Sequence, residues 1–172
     1  LLPAFRIEMK SGAVHHYSMP LAFEESEDEA LLPYAVAHVR QGRKTGLAIG
    51  AASSPDFILA VLAAMGEERR LTTVAGGSLC CRTTSDFDLR SAIDPSGIQR
   101  IAAEQSNTSV LIGEEMVVKF YRRLRSGPHP EIEVGRFLTE VAGFRNAPAT
   151  LGTIEYEAPD GTIVALALLQ SF

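Results

Sequence analysis

The chain has 172 residues, enough for one well-buried core or for two small units sharing an interface. A hydrophobic fraction of 46% and a charged fraction of 22% are those of an ordinary folded protein. The net charge of −5, with a basic cluster at Arg122, Arg123 and Arg125 that is short and local, argues against broad nucleic-acid binding, which rests on many Lys and Arg neutralising phosphates. No apolar run has the length of a membrane span and the N-terminus lacks a basic-then-apolar leader pattern, so a cytoplasmic chain without membrane contact is expected.

Residues 1–20 alternate in part (Phe5, Ile7, Met9, then Val14, His16, Ser18) around Ser11-Gly12, which predicts an N-terminal hairpin. Pro20 and the acidic stretch Glu24-Glu25-Ser26-Glu27-Asp28-Glu29 break it, and such a stretch is expected to be a solvated loop or a first helical turn. Leu32, Ala35, Val36 and Val39 are spaced as on a helix over 31–40, with Pro33 in or before its first turn. A short strand follows at 47–50. Ser53-Ser54-Pro55-Asp56 starts a helix whose buried stripe is Phe57, Ile58, Val61, Leu62 and Met65, closed by Gly66. From 71 to 81, Gly76-Gly77 separates two expected strands. Cys80 and Cys81 are adjacent, a spacing that suits neither a disulfide nor a zinc site, and read as buried thiols.

Ser91-Ala-Ile-Asp-Pro-Ser-Gly97 has turn composition, which predicts a boundary near residue 95 between a unit 1–95 and a unit 96–172. Past it, 98–104 reads as a strand and Ser106-Asn107-Thr108-Ser109 as a polar loop. Residues 110–112 and 116–123 form a hairpin around Gly113-Glu114-Glu115, 130–141 a helix, and 149–157 with 162–169 a last hairpin. The overall expectation is an α+β chain: a cap of antiparallel strands and helices packed on a five-stranded antiparallel sheet with one helix. This order matches the small lobe of a protein-kinase-like fold.

Lys119 stands on the second strand of that hairpin, after two β-branched residues and before a carboxylate-bearing helix. A polar loop, a fixed ammonium and a carboxylate that holds it are the parts that nucleotide-phosphate chemistry uses. An edge-strand lysine with its head in water is the plainer meaning of the same residue. Val134, Phe137, Leu138 and Val141 mark an apolar helix face, and Glu131 lies nearer its centre than Glu133 does. A carboxylate beside a buried stripe needs a partner. Lys119 with Glu131 is therefore the expected pair, with Glu133 as the alternative. His15, His16, His38 and His129 lack metal-ligand spacing with one another or with the cysteines.

Four segments carry a resemblance: Glu104-Gln-Ser-Asn-Thr-Ser-Val110, Val118-Lys-Phe-Tyr-Arg-Arg123, Gly127-Pro-His-Pro-Glu-Ile-Glu-Val-Gly-Arg-Phe-Leu-Thr-Glu140 and Gly152-Thr-Ile-Glu-Tyr156. The chain resembles there the N-terminal half of bacterial maltokinases, including those fused to trehalose synthase. The likeness is dense over 98–172; over 1–95 it is limited to element order and fragments such as Met19-Pro-Leu21 and Thr45-Gly-Leu47. It implies an ATP-dependent kinase acting on the anomeric hydroxyl of maltose, with trehalose synthase as a possible fused or associated partner. Carried over, Ser106, Asn107, Thr108 and Ser109 would cover the ATP phosphates, Lys119 would contact the α- and β-phosphates, Glu131 would orient Lys119, and backbone near Gln170 would face adenine. The resemblance places the catalytic aspartate, the Mg²⁺ ligands and the sugar site in a large lobe with no counterpart here. The expected reading is thus a non-catalytic fragment with no catalytic residue or metal ligand of its own. Two alternatives stand beside it: the same fragment of another sugar kinase, such as a glucosamine kinase, and a stand-alone interaction module. The apolar stretch 166–172, taken as exposed, weighs against the module.

Overall fold

The computed structural model describes residues 2–25, 29–88, 93–101 and 106–172. The chain begins with the expected hairpin, β1 (Ala4–Glu8) and β2 (Val14–Ser18), followed by β3 (Leu21–Glu24). Here the first departure appears. Residues 31–40 are not a helix: a short 3-10 helix, Glu29–Tyr34, leads into strand β4 (Ala35–Gln41), which pairs with β5 (Lys44–Gly50). Pro33 inside the 3-10 segment removes a donor that a continuing α-helix needs, and the β-branched Val36 and Val39 suit the ladder that β5 offers.

Helix α1 (Pro55–Gly66) follows as expected, with Pro55 in its first turn and Asp56 beside the positive end of the dipole. Strands β6 (Arg70–Thr72) and β7 (Ser78–Thr83) come next, joined through Gly76 and Gly77, which have φ values of 81° and 74°. A Cβ at Gly77 would lie 2.4 Å from the Glu157 carbonyl oxygen, so this turn admits only glycine. Then come β8 (Ile98–Ile101), β9 (Asn107–Ile112), β10 (Met116–Tyr121) and β11 (Arg123–Leu124). Helix α2 (Pro130–Arg136) runs on as a π-helical turn, Phe137–Val141, and β12 (Thr150–Glu157) and β13 (Ile163–Ser171) close the chain. Of the strand expected over 98–104, residues 102–104 lie outside the described residues, as do 26–28 of the acidic stretch.

Among the described residues there are three sheets, all antiparallel: β1-β2-β11, β3-β5-β4, and a seven-stranded sheet ordered β6-β7-β12-β13-β10-β9-β8. The five strands expected from 98–172 are contiguous within it. The sheet does not stop there, however, because β7 pairs along β12 from Gly152↔Thr83 to Glu157↔Ser78. Likewise β11 joins the N-terminal hairpin. Strands therefore cross the expected boundary near residue 95, and residues 1–95 build part of the same sheet.

One face of the large sheet is closed by α1. Ile58, Val61, Leu62 and Met65 pack with Cys81, Val110, Ile112, Val118, Phe120, Ile154 and Leu169 in the main core. Cys80 and Cys81 are free and buried, and as strand neighbours they project from opposite faces. The opposite face carries α2, where Tyr121, Ile132, Ala165 and Leu168 form a smaller cluster. Stretch 166–172 belongs to an interior strand: Ala167, Leu168 and Leu169 are buried, and Phe172 alone is strongly exposed. Its apolar composition reflects core, so it no longer weighs against an interaction module.

The face that α2 buries is not the apolar one. Val134, Phe137 and Val141 are 55%, 56% and 72% exposed, whereas Ile132 is 4% exposed. Against the sheet lie the small and polar positions instead. A Cβ on Gly135 would fall 2.4 Å from Thr150 Oγ1, and Thr139 Oγ1 accepts the Thr150 N–H at 2.9 Å. This close approach sets the height of α2 above β12. Gly135→Ala should therefore destabilise the fold by about 1–3 kcal/mol, despite the better helix propensity of alanine. The Thr150 hydroxyl donates to no partner among the described residues, so adding Thr150→Ala should recover most of the loss in urea denaturation. Additive losses would contradict the contact.

Candidate functional site

Alternation along β10 places Val118 and Phe120 on the α1 face and Lys119 and Tyr121 on the α2 face. Across the sheet Lys119 is opposite Ser109 on β9 and Leu168 on β13, both fully buried. Its stem is thus packed in the sheet and its ammonium rises toward α2. There Lys119 Nζ donates to Glu131 Oε1 at 2.6 Å, and the two side chains are 24% and 35% exposed. Glu133, the alternative, is exposed on the outer side of the helix.

Glu131 has a second donor that the sequence reading missed. The Tyr121 hydroxyl donates to Glu131 Oε2 at 3.0 Å, and the Tyr121 ring stacks on His129 with centroids 4.0 Å apart. Both carboxylate oxygens are therefore held, one by an ammonium and one by a phenol. Period-two alternation carries the signal for Tyr121, which is two residues from Lys119 on the same strand. Burial, then the neighbouring Glu131 charge and hydrogen bond, push the Tyr121 pKa far up, so it remains a donor. Burial holds the His129 pKa below its ordinary value; the Glu131 charge opposes this and Arg125 adds to it.

For Glu131 burial is the largest single influence and pushes the pKa up. The Lys119 hydrogen bond and charge, the Tyr121 hydroxyl and His129 together outweigh it, leaving the pKa below the ordinary glutamate value. A depressed folded-state pKa contributes stability that is present above the unfolded value and lost as pH falls through the folded one. Removing the ammonium should take away two of the influences that lower it. In Lys119→Met the Glu131 carboxyl should titrate higher than in the unaltered chain, as followed by a carboxyl-detected NMR titration. An unchanged titration would mean that Lys119 does not hold Glu131.

The other expected site residues are placed differently. Asn107, Thr108 and Ser109 belong to β9, opposite Tyr121, Phe120 and Lys119, and Ser106 alone precedes the strand. The polar tetrapeptide is thus a strand start rather than a loop, because β10 offers it a ladder. Residues 102–105, between β8 and β9, lie outside the described residues. Gln170 lies in β13 with β10 on one side and β12 on the other, opposite Val117 and Thr150. Its backbone is inside the sheet, leaving no open edge there for adenine. Among the described residues no group of three or more His, Cys, Asp or Glu is placed to hold a metal ion.

An ammonium raised from an interior strand and pre-oriented by a carboxylate can neutralise a phosphate oxygen without first being ordered.

No protein-family model matches the chain. Among solved structures the fold is similar to a glucosamine kinase in complex with glucosamine, ADP and inorganic phosphate, at 17% sequence identity and a TM-score of 0.47, over 99% of this chain and 32% of that one. The chain spans about a third of the length of that kinase. At this level of likeness nothing about substrate or activity transfers.

Proposed function

We propose that the chain is the nucleotide-phosphate-binding part of an ATP-dependent sugar kinase, of maltokinase type. The observation that carries the reading is the ion pair between Lys119 on a central strand and Glu131 on the helix above it. The sequence segments around both residues, which resemble maltokinases, support it. In this reading Lys119 contacts the α- and β-phosphates of ATP, Glu131 and Tyr121 fix the position of the ammonium, and Ser106 lies near the phosphates. ATP supplies the phosphoryl group when bound, and Mg²⁺ is held by residues outside this chain. Residues 1–95 brace the lobe, since β6, β7 and α1 complete its sheet and core. The sugar contacts also lie outside the chain. Comparing maltose with glucosamine as substrates of the intact kinase therefore decides between the two sugar kinases.

Calorimetric titration with ATP tests the reading on the chain itself. Binding should be weak but saturable, and Lys119→Ala should weaken it about tenfold or more, as expected for losing a charged hydrogen bond. Equal affinity of the two proteins would remove Lys119 from the site.

A further inference from the structure

The N-terminal hairpin leaves one edge of its three-stranded sheet open. In the order β1-β2-β11, β1 pairs with β2 alone, and all five of its residues are exposed. The closure of the hairpin decides which of its backbone groups face outward. The Met9 N–H donates to the Ala13 carbonyl at 2.8 Å and the Met19 N–H to the Pro3 carbonyl at 3.4 Å, so by alternation Phe5 and Ile7 are the residues of β1 that bond across to β2. Ala4, Arg6 and Glu8 turn their N–H and C=O groups to the outer side, where no described strand receives them.

Among the described edge strands β1, β3, β4, β6, β8 and β11, only β1 carries both a basic and an acidic residue. Laid antiparallel against a second copy of itself about Ile7, it is self-complementary. Arg6 of each copy falls opposite Glu8 of the other, Ile7 opposite Ile7, and Phe5 opposite Met9. The backbone is served by the same register, since the outward-facing Arg6 and Glu8 then exchange both hydrogen bonds and Ile7 takes the non-hydrogen-bonded pair on the two-fold axis. Sliding by two residues either way sets Arg6 on Arg6 or Glu8 on Glu8, a like-charge pair that is destabilising. Within one copy Arg6 and Glu8 touch at 3.5 Å with both side chains more than half exposed, so either is free to turn to the other copy. Phe5, Ile7 and Met9, each more than two-fifths exposed in the single chain, are partly covered on pairing. We propose that β1 is an interface between two copies of this chain, joined through their open edges into one six-stranded sheet about a two-fold axis.

A contact of one strand edge is small, so the dimer should be reversible, with a dissociation constant on the order of ten micromolar. Sedimentation velocity of the 172-residue chain, at concentrations on either side of that value, should show the monomer passing into a species of twice its mass. Arg6→Glu and Glu8→Arg are changes at exposed positions, and each sets like charges opposite one another at both cross-strand pairs. Either alone should weaken the dimer about tenfold or more. Mixing the two variants should restore it as a heterodimer, because each copy then meets opposite charge at both pairs. Amide hydrogen exchange should slow with rising concentration at Arg6 and Glu8 and stay unchanged at Phe5 and Ile7, whose N–H groups already face β2. A chain that remains monomeric at millimolar concentration, a dimer indifferent to both reversals, or a mixture no tighter than the separate variants would overturn the proposal. So would a dimer dissolved by Val134→Ser with Phe137→Ser, since the exposed stripe of α2 would then be the interface.

Discussion

Replacing Lys119 by alanine in an intact kinase carrying this lobe should lower turnover on the order of a hundredfold or more while leaving the fold in place. The magnitude is that of deleting one preorganised charge where transition-state charge develops, and it belongs mainly to kcat because negative charge grows on the β-phosphate of the leaving nucleotide along the reaction. Stability should change little by comparison. The Lys119 stem is packed between Ser109 and Leu168, but its head is partly exposed, and an ion pair of this exposure contributes little net stability. Lys119→Arg should recover only part of the rate, because a planar fork does not reproduce a compact ammonium seated 2.6 Å from Glu131. Steady-state kinetics beside thermal unfolding separates the two effects. A fall in turnover matched by an equal loss of folded protein would contradict the assignment.

The second large effect is the coupling between Lys119 and Glu131. Glu131→Gln leaves the ammonium with a neutral acceptor and removes the charge that centres it, so the barrier should rise by about 1–3 kcal/mol, toward the lower end because the pair is partly exposed. Both residues serve the same position, so Lys119→Ala with Glu131→Gln should be little worse than Lys119→Ala alone. Tyr121→Phe should act in the same direction and less strongly, since it frees one oxygen of Glu131 and leaves the one bound to Lys119. Fully additive losses would show that the pair does not act as a unit.

The ion pair was legible in the sequence, yet the reason for choosing Glu131 was not the one the structure supplies. The apolar stripe of Val134, Phe137 and Val141 faces water. What turns Glu131 inward is the close contact of Gly135 and Thr139 with Thr150, made of small and polar groups that a count of hydrophobic residues passes over. Glu131, four residues before Gly135, shares that side of the helix. Local hairpins and α1 were readable because their patterns and turn residues lie close in sequence. The seven-stranded sheet was not, because the pairing of Cys81 with Ile154 is non-local and leaves no periodicity to detect. The same competition turned 35–40 and 107–109 into strands: partners elsewhere in the chain, β5 and β10, outweighed local preference.

The chain contains three lysines, Lys10, Lys44 and Lys119, which makes one measurement unusually direct. An acyl-phosphate derivative of ATP transfers its acyl group to an amine lying beside the bound phosphates, and peptide mass spectrometry identifies which lysine receives it. Lys44 is paired with Glu25 on the surface, whereas Lys119 sits at the proposed phosphate position. Acylation concentrated on Lys119 and suppressed by excess ATP is the predicted result. Labelling spread over Lys10, Lys44 and Lys119, or labelling of Lys119 that excess ATP does not reduce, would contradict a nucleotide-phosphate site on this face.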